Sequence, residues 1–189
     1  VPSLVDVNGY LSKSVLQFHL RADAAQVRRE AVAQIQRART MGIQPTHLHP
    51  HLGAMLARPD LLKIYLELAE EYWIPAVMVE LSPAVIATFR DAGFEMDDEM
   101  LEAVANYRLP KVDDIKSVPD AESYEEKKQQ FFDTIGSLEP GITQIFLNPS
   151  DSSAGMRVAS TKWRDRAWEA KLLADPDVNK FLREQDLTF

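Results

Sequence analysis

Apolar residues recur every three to four positions in several segments of the chain, a spacing that predicts amphipathic helices. The first of these helices begins after Asp23, whose side chain can cap it, and runs to about Met41. Gly42 follows and ends it, because glycine accepts the backbone conformation at a helix end. Further helices are predicted to begin at or near Pro59, Ser82, Met100, Ser123, Trp163 and Asp175. The helix that begins at Pro59 carries an apolar stripe formed by Leu62, Tyr65, Leu66, Ala69 and Tyr72.

Short apolar segments lie between these helices and predict strands. They are residues 45–49, 74–81 and 142–147, and residues 187–189 have the pattern of one more strand. Residues 107–119 show the least regular pattern of the chain. Short apolar strands that alternate with helices are typical of parallel β/α units, whose sheet is covered by helices. The sequence therefore predicts an α/β fold with parallel strands.

The composition limits the classes of protein to which the chain can belong. With 189 residues, 46% of them hydrophobic and 26% charged, the chain can bury about 70% of its unfolded surface, so a single domain over residues 1–189 is expected. The net charge of −8 has the wrong sign for binding nucleic acid or an anionic membrane. The lack of cysteine excludes disulfides, thiolate metal sites and a cysteine nucleophile. Localisation stays open, with the cytoplasm slightly favoured.

Three of the four histidines lie within five residues, as His47, His49 and His51. In an extended segment, side chains two residues apart point the same way, so two imidazoles can converge on one ion. The cluster follows a predicted strand, and β/α proteins build their sites at that edge of the sheet. The pattern favours metal binding or catalysis over the alternative of a polar turn facing solvent. The residues alone do not identify a complete ligand set, because zinc usually takes a third protein ligand.

The segment from Pro45 to His51, Pro-Thr-His-Leu-His-Pro-His, with Gly53 after it, resembles the Pro-Thr-His-x-Asp-x-His segment of YdjC-type carbohydrate deacetylases, which include chitooligosaccharide deacetylases. Weaker similarity covers residues 1–6, 124–128, 138–141 and 163–186. The resemblance implies a distorted β/α barrel of the NodB/YdjC-like kind and hydrolysis of N-acetyl groups from sugars. It also implies a divalent ion, Zn²⁺ or Mg²⁺, held by an early Asp and two His, the second of which corresponds to His51.

The chain departs from the family pattern at several places. The early Asp pair and the first His ligand would precede Val1, and a last strand would continue after Phe189, so the barrel is expected to be incomplete at both ends. His49 replaces the Asp of the motif, and Asn148 stands where the family has His before a proline. Asparagine cannot transfer a proton, although its amide can donate a hydrogen bond to an oxyanion. We therefore expect a partly liganded metal at His51, His47 and His49, and impaired catalysis.

Two carboxylates inside the chain are candidates for a catalytic base. Asp60 also fits the first turn of a helix, and Glu80 also fits the end of a strand, so each has a structural alternative. The segment from Trp163 to Arg166 is predicted to anchor its helix by packing and ion pairing.

Aromatic side chains are candidates for stacking on a sugar ring. Trp163, Tyr10 and Phe18 could take this role, although aromatic residues in such positions belong to a hydrophobic core more often.

Two other classes of function compete with the deacetylase hypothesis. An amidohydrolase-like barrel also binds metal through His-x-His, but it needs ligands on later strands and no histidine follows His51. A non-catalytic carbohydrate-binding or interaction protein derived from the deacetylase scaffold is favoured by His49 and Asn148. The expected partners are an N-acetylated sugar and either a second copy of the chain or the missing amino-terminal segment, because open sheet edges tend to associate.

Overall fold

The computed structural model describes residues 1–12, 14–56, 58–91 and 96–188. The chain forms two compact units, Val1–Val112 and Asp113–Phe189, called here the amino-terminal and carboxyl-terminal units. The expectation of a single domain stays a prediction.

The amino-terminal unit contains five helices within the described ranges. They are α1 (Val15–Arg21), α2 (Ala24–Thr40), α3 (Pro59–Tyr72), α4 (Pro83–Asp91) and α5 (Asp98–Asn106). The helix predicted after Asp23 is confirmed as α2, since the Asp23 carboxylate accepts a hydrogen bond from the Gln26 N–H at 2.9 Å. Gly42 has a φ of +81°, the left-handed conformation that ends the helix. Helix α1 has no counterpart among the predicted helices.

Two extended segments of the amino-terminal unit lie where strands were predicted, and they pair in parallel. The Leu48 N–H donates to the Pro75 carbonyl and the Val77 N–H donates to the Leu48 carbonyl, both at 2.8 Å. These two hydrogen bonds form an isolated bridge between Leu48 and Ala76 instead of a longer ladder. A second isolated parallel bridge joins Val79 to Val112. The predicted positions and the parallel direction of residues 45–49 and 74–81 are confirmed. The regular strands predicted there are not formed. Pro45, Pro50 and Pro75 lack the N–H donors that longer ladders need.

Buried tyrosines supply hydrogen bonds where this pairing stops. The Tyr65 hydroxyl lies 2.6 Å from the Leu48 carbonyl and 3.2 Å from the Val77 carbonyl, and the Tyr107 hydroxyl accepts from the Ala76 N–H at 2.6 Å. Burial raises the pKa of both phenols, so they stay protonated. Tyr65 belongs to the apolar stripe predicted on α3, and this stripe packs against α5 in the main core of the unit. The core members are Leu62, Tyr65, Leu66, Ala69, Ala76, Met78, Met100, Val104, Tyr107 and Leu109.

Residues 113–188 of the carboxyl-terminal unit, which the structure describes, contain a two-stranded parallel sheet and four helices. Strand β1 (Asp114–Ser117) pairs with β2 (Thr143–Phe146) along their whole lengths. The helices are α6 (Tyr124–Gly136), α7 (Ala154–Ala159), α8 (Trp163–Ala174) and α9 (Pro176–Glu184). Their core is formed by Val118, Phe131, Ile135, Leu172 and Val178.

Strand β2 lies inside the predicted segment 142–147, whereas β1 lies inside residues 107–119, which were predicted to be irregular. That prediction was wrong because β1 has no apolar run; Asp114 and Lys116 alternate with less polar residues and form an ion pair at 2.8 Å. The strand predicted at the end of the chain is not formed at Leu187 and Thr188, and Phe189 lies outside the described residues.

The α/β class with parallel strands is confirmed, and the distorted, incomplete β/α barrel stays a prediction. Within the described ranges, no helix is both long enough and apolar enough to cross a membrane.

Candidate functional site around the histidine segment

The histidine segment consists of residues 47–51 in the amino-terminal unit. It begins with the extended backbone around Leu48, whose pairing with Ala76 fixes its course. It ends where His51 starts a single 3₁₀ turn, His51–Gly53. Inside this turn Leu52 has a φ of +55°, a left-handed conformation that is rare for a bulky residue. Such strained positions are frequent at binding and catalytic sites.

The side chain of His47 is exposed and its orientation is held by a neighbour. The Thr46 hydroxyl and His47 Nδ1 are 3.0 Å apart, which engages one ring nitrogen. The other nitrogen, Nε2, is then the one that can bind an ion or a substrate.

The surroundings of His49 affect its protonation. Partial burial lowers the pKa of His49, and the nearby His51 and His47 lower it further, because another positive charge would be unfavourable there. The ring is therefore neutral at pH 7, and a neutral imidazole is the form that accepts a proton or ligates a metal.

His49 and His51 line a cavity of about 510 Å³ in the amino-terminal unit. Helices α1 and α2 supply much of the opposite wall, with Phe18 as its aromatic member. Polar groups also reach the cavity from Ser12, Ser14, Glu30 and Gln34. The volume lies in the range of small-molecule sites, and the mixture of apolar walls and a few polar groups is typical of them.

The imidazoles by themselves do not make a complete metal centre. Among the residues that the structure describes, no group of three or more His, Cys, Asp or Glu side chains is arranged to hold an ion. Catalytic zinc sites use three protein ligands and leave one position for water. The histidine segment therefore fits only part of such a site, and the roles predicted for His47, His49 and His51 as ligands stay predictions.

Both candidate carboxylates are engaged in ion pairs. Arg58 Nε donates to Asp60 Oδ1 at 2.9 Å, and this hydrogen bond holds the pKa of Asp60 below its usual value. Arg58 also donates to the carbonyls of His19 and Ala22, each at 2.9 Å, and so ties the end of α1 to the start of α3. Glu80 lies 3.1 Å from the Lys111 ammonium. Neither carboxylate lines the cavity beside His49. The ion pairs with Arg58 and Lys111 therefore fit the structural alternative for Asp60 and Glu80.

Three aromatic residues were proposed for sugar stacking. Phe18 lines the cavity beside His49 and His51, whereas Tyr10 and Trp163 belong to different units. Tyr10 is 71% exposed and follows a turn in which its carbonyl accepts from the Asp6 N–H at 2.8 Å. The Trp163 ring contacts two guanidinium groups, those of Arg157 and Arg164, at 4.7 and 4.8 Å from the ring centre. These cation–π contacts support the predicted role of this segment in anchoring α8. Sugar binding by Tyr10 and Trp163 stays a prediction.

Asn148 is the second residue after the end of β2 and is exposed. Its backbone N–H donates to Glu169 Oε2 at 2.6 Å. Glu169 belongs to a buried group, defined here as the Lys127 cluster, that also includes Lys127 and Asp165. Sequence analysis missed this cluster, although Lys127 precedes Phe131 by four residues and so falls on the apolar face of its helix.

Comparison with known proteins agrees with the family resemblance that the histidine segment carries. Residues 1–184 match the family model of YdjC-like proteins. A carbohydrate deacetylase of Thermoanaerobacter pseudethanolicus is 28% identical over 187 residues, which cover 99% of this chain and 67% of that protein. A carbohydrate deacetylase of Thermus thermophilus is 29% identical over 188 residues, which cover 96% of this chain and 65% of that protein.

A solved structure shares the fold. The crystal structure of an Enterococcus faecalis protein described as a cellobiose-phosphate cleavage protein superposes with a TM-score of 0.69 and 24% identity, covering 97% of this chain and 65% of the other. The chain thus spans about two thirds of the length of these relatives. Because the family model covers nearly the whole chain, the resemblance carried by the histidine segment is confirmed. The chain belongs to the YdjC-like protein family.

Proposed function

We propose that this chain is the larger part of a carbohydrate deacetylase, a metal-dependent hydrolase that removes N-acetyl groups from sugars, and that its parallel strands belong to a distorted β/α barrel. The observation that carries the proposal is the 510 Å³ cavity lined by His49 and His51, in a chain whose relatives are named carbohydrate deacetylases. A cavity of this size suits a sugar unit with its acetamido group.

Amide hydrolysis needs a group that accepts a proton from water, a group that stabilises the developing oxyanion and a group that protonates the leaving amine. The ring of His49 is suited to the first task, because its lowered pKa favours the neutral imidazole, which is the form that can accept a proton. Among the described residues, His47, His49 and His51 are not arranged together to hold one ion. The divalent ion that the resemblance implies would therefore need a ligand from outside the histidine segment.

Asn148 stands where the family resemblance expects the histidine that protonates the amine. Its amide can donate a hydrogen bond to an oxyanion, but it has no proton to transfer. Loss of a general acid typically slows a reaction about 10²–10⁴-fold. We therefore expect weak or no deacetylation by this chain alone.

A second candidate function is sugar binding without catalysis. The incomplete ligand set and the presence of Asn148 favour this function, because a metal ligand and a proton donor that catalysis needs are then missing. Neither difference removes the cavity beside His49. Association with a second copy of the chain, or with a segment that carries the missing ligands, stays a prediction for either function.

Acetate release from N-acetylated chitooligosaccharides distinguishes the two functions. We expect little release by the unmodified chain and a rise of about 10²-fold or more for Asn148→His in the presence of Zn²⁺, because the substitution restores a proton donor. His19→Gln is the matched control, since His19 lies outside the histidine segment. Release at a normal enzymatic rate by the unmodified chain would contradict impaired catalysis. Binding of the oligosaccharide without release by either variant would favour the binding protein.

A further inference from the structure

Glu30 is a charged side chain in the wall of the cavity that His49 and His51 line, and the function proposed above does not use it. It lies on α2 and is half-buried, and its helix neighbours Val27 and Ala31 line the same cavity with apolar side chains. Among the described residues that line the cavity, Glu30 is the one with a permanent charge, and none is lysine or arginine. The wall therefore carries one carboxylate that no basic side chain of the cavity neutralises.

Gln34 fixes how the Glu30 carboxylate meets the cavity. Its side-chain amide lies one turn further along α2, lines the same cavity and donates through Nε2 to Glu30 Oε1 at 3.0 Å. The amide thus turns its donor end to the carboxylate. Its carbonyl oxygen and Glu30 Oε2 accept no hydrogen bond from the part of the chain that the structure describes. This part of the wall offers acceptors, so a complementary ligand must bring hydrogen-bond donors.

The same cavity also contains an aromatic side chain, that of Phe18 on α1. The face of an aromatic ring attracts a cation, and aromatic side chains recur in sites for organic ammonium ligands. A carboxylate adds a charge-assisted hydrogen bond, which is about twice as strong as a neutral one. An ammonium group brings three N–H donors and no acceptor, which matches the acceptors of Glu30 and Gln34. The chemistry of this wall therefore favours a positively charged amine over a neutral amide.

We propose that Glu30 makes this cavity selective for sugars that carry a free, protonated amine, an inference that rests on the function proposed above and names the class of ligand that the cavity prefers. Hydrolysis of an N-acetyl group leaves such an amine on the sugar. The acetamido group itself is neutral and has one N–H donor, so it gains less from the carboxylate than an ammonium group does. The chain therefore holds the deacetylated sugar more tightly than the N-acetylated sugar.

The test compares two disaccharides that differ only at nitrogen, the glucosamine disaccharide and the N-acetylglucosamine disaccharide. Each is titrated calorimetrically into the full chain at pH 7 without added metal. We expect the unmodified chain to bind the amine form about tenfold more tightly or more, because a charge-assisted hydrogen bond replaces a neutral one. Added salt should reduce this preference, because it screens the attraction between the charges. Glu30→Gln keeps the shape of the side chain and removes its charge, so the two affinities should then agree within about threefold.

Glu67→Gln is the matched control. It makes the same change of net charge in the same unit, but Glu67 lies on α3, does not line the cavity and is 3.7 Å from the Arg28 guanidinium. It should keep the preference for the amine, which separates the local carboxylate from the net charge of the chain. Urea denaturation checks that both variants are folded. A glutamine amide oxygen can still accept the hydrogen bond from Gln34, so we expect Glu30→Gln to fold.

The outcomes separate this proposal from the proposed function. Equal or weaker binding of the amine form by the unmodified chain would overturn the selectivity and leave the sugar site intact. An unchanged preference in Glu30→Gln, or an equal loss in Glu67→Gln, would overturn it as well, since the local carboxylate would not be the cause. Binding of neither disaccharide would overturn the sugar site and the selectivity together. Preference for the amine in a chain that releases no acetate would support the selectivity, and the catalytic proposal alone would fail.

Discussion

The histidine segment and the Lys127 cluster are both groups of ionisable side chains, but their surroundings are opposite. The rings of His47, His49 and His51 are solvent-exposed to a large degree, and they come from consecutive alternate positions of one extended segment. The Lys127 cluster is buried and assembled from two helices. The comparison shows that exposed chemistry can be found from local sequence, whereas a buried ionic group becomes visible only when the fold brings its members together.

The two groups should also differ in what they contribute to stability. An exposed side chain with few partners changes the free energy of unfolding little when it is replaced. A buried ion that loses its partner leaves an uncompensated charge in the interior, which is strongly unfavourable. Substitutions in the two groups therefore test this difference in their contribution to stability.

The largest effect is expected for Lys127→Ala. It leaves Asp165 and Glu169 buried without their cation, and we expect the free energy of unfolding to fall by about 3–5 kcal/mol. Lys180→Ala is the control: Lys180 is 73% exposed, its nearest carboxylate is 3.9 Å away, and its removal should cost about 0.5 kcal/mol or less. Urea denaturation of both variants measures the difference. Equal losses would mean that the buried lysine is not paired as described.

An intermediate effect is expected for zinc binding by the histidine segment. Replacing His47 and His51 together by alanine should weaken zinc affinity about tenfold or more, because two of the proposed ligands are lost. The free energy of unfolding should change by no more than about 0.5 kcal/mol for each substitution, since both side chains are exposed. Calorimetric titration with His19→Gln as the control measures the affinity. Equal affinity in the double variant and the unmodified chain would remove these residues from any metal site.

The smallest effect concerns pH. The pKa of His49 lies below 6.5 because of partial burial and the charges of His51 and His47. In the unfolded chain, His49 has its ordinary pKa and binds a proton more readily than it does in the folded protein. The free energy of unfolding therefore falls a little as the pH falls from about 6.5 through the pKa of His49 in the folded protein. Above pH 6.5 this contribution is complete, and His49→Gln should abolish it.

NMR titration of the His49 ring checks this prediction directly. His51→Gln should move the pKa of His49 upward, because one of the two neighbouring positive charges disappears. A His49 pKa at or above 6.5 in the unmodified chain would contradict the arrangement of the three rings.

Features whose physical causes are local could be predicted from the sequence. The Asp23 cap, the apolar stripe on α3 and the apolar run of β2 depend on residues close together in the chain, and all were found in their predicted places. The Pro45-to-His51 motif was sufficient to identify the family, because three histidines in five residues form a rare pattern.

Features formed by residues that are distant in the sequence could be recognised only in the tertiary structure. Strand β1, four residues with two charged side chains, forms because β2 pairs with it, and no periodicity of its own predicts this. Lys127 was assigned to a helix correctly, but its burial depends on carboxylates from α8. Local propensities act along the chain, whereas strand pairing and the desolvation of charges depend on the groups that folding brings into contact. For that reason the histidine segment could be proposed from the sequence, and the cluster that holds Asn148 could be recognised only in the structure.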